Sequence, residues 1–437
     1  MGKSVHLISL GCNKNLVDSE VMLGKLHTYD ITNSASDADV IIVNTCGFIE
    51  AAKEESINTI LEAHQNRKEN SILVVSGCLS ERYKDELIEA IPEVDIFTGV
   101  GDYERIDELI LNKESSFTPE VYLANENSKR VITGSNYHAY IKLSEGCNQN
   151  CAFCAIPSFK GRLQSRSIES VIAEVTNLLE QGFRDFSFIS QDTSSYGRDF
   201  GNKDALIDLI KQVELLPGIK SARVLYLYPS TTTFELIDAI ANSNVFQTYY
   251  DMPIQHISDN MLKVMKRGAN KEKTKKLLEY MKSKKESFIR TAIIAGHPGE
   301  GQEDFLEVKE YIKEFNFDRV TVFEYSNEES TTAYNLEQIP KETIAKRAQI
   351  LGDIAKDLML KSNSKLIDKE IDLIIDNVSS EHEYLLSARP TLWAPEIDGE
   401  ILINDTSDLK VNHGSYYRAK VTSLADTTPL ATLIKEI

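Results

Sequence analysis

The chain has 437 residues, 42% of them hydrophobic and 26% charged, with 48 basic against 67 acidic side chains and a formal charge of −19. That length exceeds a single hydrophobic core, so two or three domains are expected, and the composition is that of an ordinary folded protein. The acidic balance disfavours a nucleic-acid partner held mainly by phosphate neutralisation. No stretch reaches the roughly 18 apolar residues of a membrane helix, which excludes a membrane partner of that kind.

The start, MGKSVHLISLGCNKN, lacks an apolar segment with a small-residue cleavage pattern, so a cytoplasmic location is expected. Six cysteines without a secretory signal argue for metal or redox chemistry rather than a disulfide framework.

Residues 1–115 read as an open parallel α/β sheet. VHLISL (5–10), DVIIVNT (39–45) and SILVVSG (71–77) are short and rich in Val and Ile, as buried parallel strands are, with helical patterns at 48–64 and 80–90. Each strand leads into a cysteine: Cys12, Cys46 and Cys78. Ligands of open parallel sheets bind beyond the carboxyl ends of the strands, so the three thiols are expected on one edge. Residues 116–132 are polar and aperiodic, as a linker is.

Residues 133–365 carry six further strand patterns, at 137–145, 185–191, 221–228, 248–255, 288–296 and 319–325, with helices between them. Right-handed crossovers would curve them into a partial (β/α)6 barrel with its functional face at the strand C-termini. In SIESVIAEVTNLLEQG, the residues Val171, Ile172, Val175, Leu178 and Leu179 share a face, Ser167 is a partial start signal and Gly182 a stop. A long amphipathic helix at 341–366 leaves the barrel. Residues 366–437 switch to short strands broken by turn residues, which reads as a small antiparallel β-barrel or sandwich.

The segment YIKLSEGCNQNCAFCAIPSFKGRLQSR places Cys147, Cys151 and Cys154 in a C-x3-C-x2-C pattern after the first barrel strand. Structural zinc wants four ligands, and His138, nine residues upstream, reaches the site only by folding back. A four-iron cubane held by three thiolates instead keeps one iron open, as a catalytic site needs. The pattern, with Phe153 before its last cysteine, resembles the signature of the radical S-adenosylmethionine (SAM) superfamily. That resemblance implies a [4Fe-4S] cluster, SAM bound at the open iron, and a 5'-deoxyadenosyl radical. It also implies that Phe153 flanks the adenine, while position at the second strand's end offers Ser190 and Gln191 to the SAM amino group, and Arg290 on the fifth strand is a candidate for its carboxylate. No further catalytic side chain is assigned; His256 and His297 read as structural, since hydrogen abstraction by a radical needs no general base.

Two cysteine trios, a central barrel and a small C-terminal β domain together resemble the methylthiotransferases. Family membership implies a second [4Fe-4S] cluster on Cys12, Cys46 and Cys78, a C-terminal domain of the TRAM type, and replacement of C–H by C–S–CH3. SQDTSSYG (190–197), LYLYPS (225–230), PIQHISD (253–259) and ARPTLWAPEIDGEI (388–401) resemble the branch that modifies an aspartate of small-subunit ribosomal protein twelve (RimO type). The partners implied are that protein, free or in the ribosome, and a one-electron donor such as a flavodoxin or ferredoxin.

Charge points the same way. Residues 366–437 hold thirteen acidic and six basic side chains, net −7, which suits a basic protein substrate better than RNA. The alternatives are the branch that modifies a tRNA adenosine (MiaB type) and an iron–sulfur electron carrier without chemistry of its own.

Overall fold

A computed structural model describes residues 2–378 and 385–437. In the N-terminal part, β1 (Ser4–Ser9), β2 (Asp30–Ile31), β3 (Val40–Thr45), β4 (Ile72–Gly77) and β5 (Ile96–Phe97) form a parallel sheet in the order β2-β1-β3-β4-β5. The two short edge strands have no clear pattern in the sequence. The central strands are covered on both faces, so every residue of β3 is buried.

Helix α1 (Asn13–Lys25) begins at Cys12, α2 (Glu50–Asn66) follows the Cys46 turn, and α3 (Cys78–Arg82) begins at Cys78 itself. A surface helix buries one stripe; α1 is buried around most of its circumference, including Asn15, Asp18, Ser19 and Glu20. It is packed between the sheet and the barrel, and its buried polar groups need partners there.

The stretch 116–132 contains no helix or strand, yet it is firmly tied. Thr118 N donates to Asp102 at 3.0 Å, and the buried Arg130 bridges Glu20 of α1 and Glu174 of the barrel. Its backbone passes so close to α1 that a Cβ on Gly24 would stand 2.1 Å from the Lys129 carbonyl oxygen. The segment works as a strap rather than a free linker.

In the central part, β6 (His138–Lys142) is followed by β7 (Ser144–Glu145), which pairs antiparallel with β8 (Gln164–Ser165). The cysteine loop is thereby closed at its base. Strands β9 (Asp185–Ile189), β10 (Ser221–Val224), β11 (Tyr249–Asp251), β12 (Phe288–Ala295) and β13 (Arg319–Glu324) complete two parallel halves, β6-β9-β10 and β11-β12-β13. The Ala222–Phe246 bridge and the bond from Leu227 N to Asp251 O, 2.8 Å, join them.

Two strands are shorter than their sequence patterns. The apolar run from 221 leaves the sheet because Tyr226 has φ 62°, and the run from 248 turns at Gln255 with φ 68°. Both angles lie in the left-handed region that a strand cannot use. Helix Ile168–Glu180 ends as expected: Gly182 has φ 102°, with Phe183 N on Leu178 O and Gly182 N on Leu179 O forming a Schellman motif.

Strands β14 (Glu370–Val378), β15 (Leu386–Pro390), β16 (Ile401–Asp405), β17 (Tyr416–Ala425) and β18 (Thr428–Glu436) close into a barrel in the order β14-β15-β16-β18-β17. A ring of five strands cannot alternate direction all the way round, so one seam, β16 to β18, is parallel. The segment EYLLSAR (383–389), which reads as one of the short strands, starts outside the described residues.

This barrel docks on the central one through a shared core that includes Tyr140, Leu225, Tyr249, Phe288 and Trp393. The contact also buries ions: Arg389 and Arg223 both pair with Asp185, at 2.5 and 2.9 Å.

Candidate active site

The loop from β6 carries Cys147, Cys151 and Cys154. Gly146 has φ 74°, and a Cβ there would stand 2.3 Å from the Arg162 carbonyl oxygen, so the turn into the loop requires glycine. Cys147 N donates to Gly161 O at 3.1 Å, and Cys154 N to Cys151 O at 3.1 Å.

All three cysteines are free and partly exposed. Burial pushes the Cys147 and Cys154 thiols up to about 12, with Cys151 and Cys147 acting on Cys154 as neighbouring negative charges. Opposing them is Arg267, which sequence patterns did not single out. Its Nη1 donates to Cys151 Sγ at 3.1 Å, its Nη2 to the Pro253 carbonyl at 2.6 Å, and its plane lies 4.2 Å from the Tyr228 ring. Tyr228 Oη lies 3.3 Å from the same sulfur.

The second trio assembles at the sheet edge. A Cβ on Gly11, φ 85°, would lie 2.8 Å from Cys46 Sγ, so the Cys12 turn and Cys46 are in close contact. Burial pushes Cys46 up to about 11 and Cys78 upward as well, with Cys12 adding to both and Cys46 to Cys78 as neighbouring negative charges.

Among the described residues no three His, Cys, Asp or Glu side chains form a group suited to one metal ion. Thiols spread around a common space, three to a site, instead suit a polynuclear cluster, whose irons would displace the thiol protons.

For SAM, the fit rests on Gln191. Its Nε2 is bound to Glu145, and its buried Oε1 has no partner, an acceptor left over for a donor such as an ammonium group. Phe153 stands at the same loop, 6.1 Å from the His297 ring in an edge-to-face contact.

The two other side chains offered to SAM have partners within the protein. The Ser190 hydroxyl is already engaged, accepting from Ser144 Oγ at 2.8 Å and donating to the Ile189 carbonyl at 2.8 Å. Arg290 is held by Asp251 at 2.8 Å and by Thr321 Oγ1 at 3.3 Å, with Tyr249 and Asp398 nearby. In this arrangement the Ser190 proton is given to its own backbone, and the Arg290 charge is balanced by Asp251. His256 and His297 are fully buried, and burial brings His297 down to about 4.

Between the trios lies a buried quartet. Lys142 Nζ contacts Asp18 of α1 and, at 2.7 Å, Glu145; Lys160 Nζ is 3.3 Å from Asp18 and 3.5 Å from Glu145. Burial alone would raise the Glu145 carboxyl, but Lys142 and Lys160 outweigh it and hold it at about 2. The quartet ties the Cys12 helix to the Cys147 loop. Long-range pairing of this kind, 124 residues apart for Lys142 and Asp18, leaves no local pattern.

Beside it, Lys14 Nζ lies 3.5 Å over the Tyr226 ring. A cleft of about 220 Å³ opens at Cys12, lined also by Gly11, Leu16, Thr133 and Glu396. Glu396 belongs to the WAPEIDG segment; the rest of that segment is partly structural, with Trp393 in the docking core and Asp398 accepting from Ala394 N at 2.8 Å.

Family models match three stretches: residues 4–99 the family described as Uncharacterized protein family UPF0004, 141–312 the Radical SAM superfamily, and 367–434 the TRAM domain. A protein of a Sulfurovum species, Ribosomal protein uS12 methylthiotransferase RimO, is 67% identical over 434 residues, 99% of either chain. The chain belongs to the ribosomal protein uS12 methylthiotransferase (RimO) family.

It is therefore a radical SAM enzyme and a transferase of sulfur-containing groups, which overturns the reading as an electron carrier. A RimO of Sulfurimonas denitrificans is 58% identical over 434 residues, again 99% of either chain. Among solved structures, the radical SAM methyltransferase TsrM of Kitasatospora setae superposes with a TM-score of 0.55 at 14% identity, covering 76% of this chain and 74% of that one. That likeness concerns the fold. No helix among the described residues is long and apolar enough to cross a membrane.

Proposed function

We propose that this enzyme adds a methylthio group to the β-carbon of an aspartate in small-subunit ribosomal protein uS12. In this reading Cys147, Cys151 and Cys154 hold one [4Fe-4S] cluster and Cys12, Cys46 and Cys78 another, with SAM beside Phe153 and Gln191. When bound, these groups supply the electron, the radical and the sulfur.

The observation that carries the reading is the cleft shared by Cys12 and Glu396. A carboxylate in the lining suits a basic polypeptide better than RNA phosphates. The chain's own residues bind and orient. Gln191 Oε1 accepts from an ammonium group, Arg267 holds positive charge against Cys151, and the quartet keeps the two cysteine loops at a constant separation. Reduction requires a one-electron donor of the flavodoxin or ferredoxin kind.

Mass spectrometry of ribosomal proteins and tRNA from a deletion strain tests the proposal. Loss of the methylthio mass on uS12 with unchanged tRNA is the expected result. Loss on tRNA with intact uS12 would assign the chain to the adenosine-modifying branch.

A further inference from the structure

The aspartate in the reading above bears a carboxylate on the carbon that reacts. Drawing that group into a site away from water requires a cation to receive it, and anchoring it one bond from the reacting carbon would also aim that carbon. Most cations around the cysteine trios are already committed. Arg290 pairs with Asp251 at 2.8 Å. Lys142 and Lys160 are shared by Asp18 and Glu145. Arg267 is spent on Cys151 Sγ and the Pro253 carbonyl.

Lys14 differs. It is half-buried, two residues from Cys12, and among the described residues no acidic group lies within 4 Å of its ammonium. Its Nζ lies 3.5 Å over the Tyr226 ring, which orients a cation without neutralising it. The ring is presented by the left-handed backbone at Tyr226, φ 62°, a conformation that costs energy and ends the strand early. The acids around it, Glu145 and Asp251, are balanced by their own cations and so do not oppose an arriving carboxylate. Lys14 also belongs to α1, the helix that the quartet ties to the strand and loop of Cys147 through Asp18 and Lys142.

We propose that Lys14 is the specificity-determining residue that receives the side-chain carboxylate of the substrate aspartate, held ready over Tyr226 beside Cys12. This rests on the reading of the substrate as a protein aspartate.

The test uses the full, iron-loaded enzyme and a uS12 polypeptide carrying either the target Asp or Asn in its place. Methylthio product is quantified by mass spectrometry and polypeptide binding by fluorescence anisotropy, for wild type, Lys14→Met, Lys14→Gln and Lys14→Arg. Wild type is expected to prefer Asp over Asn by about 100-fold in kcat/KM, the range in which losing one partner of a desolvated charge pair falls. The preference should shrink to within about 3-fold in Lys14→Met and Lys14→Gln, and in large part survive in Lys14→Arg.

Iron content and melting temperature identify a variant that fails to fold, and the second neutral variant then decides. A wild-type Asp preference retained in a neutral variant would overturn the proposal. An altered electron paramagnetic resonance spectrum with that preference intact would overturn it too and assign Lys14 to the cluster instead. If wild type modifies tRNA and not the Asp polypeptide, the substrate reading itself has failed.

Discussion

Replacing Lys142 by Met removes one charge from a quartet that is almost completely shielded from water, with Lys142 and Asp18 at 0% exposure, Glu145 at 1% and Lys160 at 4%. Two lysines balance two carboxylates in the native enzyme. In Lys142→Met a single ammonium, Lys160, faces both, at the longer distances of 3.3 and 3.5 Å. Leaving a buried charge without its partner costs about 3–5 kcal/mol, because solvation lost on burial is no longer offset.

At roughly 2–4 °C per kcal/mol for units of this size, the melting temperature should fall by about 10 °C. The damage should be local. Hydrogen exchange is expected to quicken in α1 and around β6 and β7, while β3 and β4, packed by their own Val and Ile core, stay protected. Adding Asp18→Leu leaves Lys160 and Glu145 as a balanced pair, so the double variant should recover about half of the loss. A melting temperature within about 3 °C of wild type, or a double variant worse than the sum of the singles, would refute the account of the quartet as a charge-balanced clamp.

Two further outcomes are expected. Cys46→Ala should still form 5'-deoxyadenosine from SAM under strong reductant but yield no methylthio product, whereas Cys147→Ala should lose both; equal loss in the two variants would show that the trios do not act separately. Burial brings the His138 imidazole down to about 3, although Asp185 pulls it the other way. The unfolded chain takes up a proton near pH 6.5 and the folded one does not, so the stability contributed by neutral His138 is present above pH 6.5 and lost as pH falls toward 3. Between pH 7.5 and 5.5 that loss is about 1 kcal/mol, and the pH-dependence of the melting temperature should flatten accordingly in His138→Gln; an unchanged slope would contradict it.

The six cysteines, the alternating strands and helices of the first two parts and the strand-rich end were legible because their signals are local: spacing within a loop, or apolar runs bounded by turns. The chemistry of the family followed from those cysteines and their place at strand ends. Ser190 and Arg290 illustrate where local reasoning stops. Ser190 follows the end of β9 and Arg290 lies near the start of β12, and their partners Ser144 and Asp251 stand 46 and 39 residues away, where no local pattern reveals them.

The same limit hid Arg267, Lys14 and the quartet. Each acquires a role only when α1 is laid between the sheet and the barrel and when Tyr226 leaves its strand. The sequence by itself determined which donors exist and which elements carry them. Tertiary structure decided which charges were left unpaired, because neutralisation of a buried charge depends on what packs against it from elsewhere in the chain.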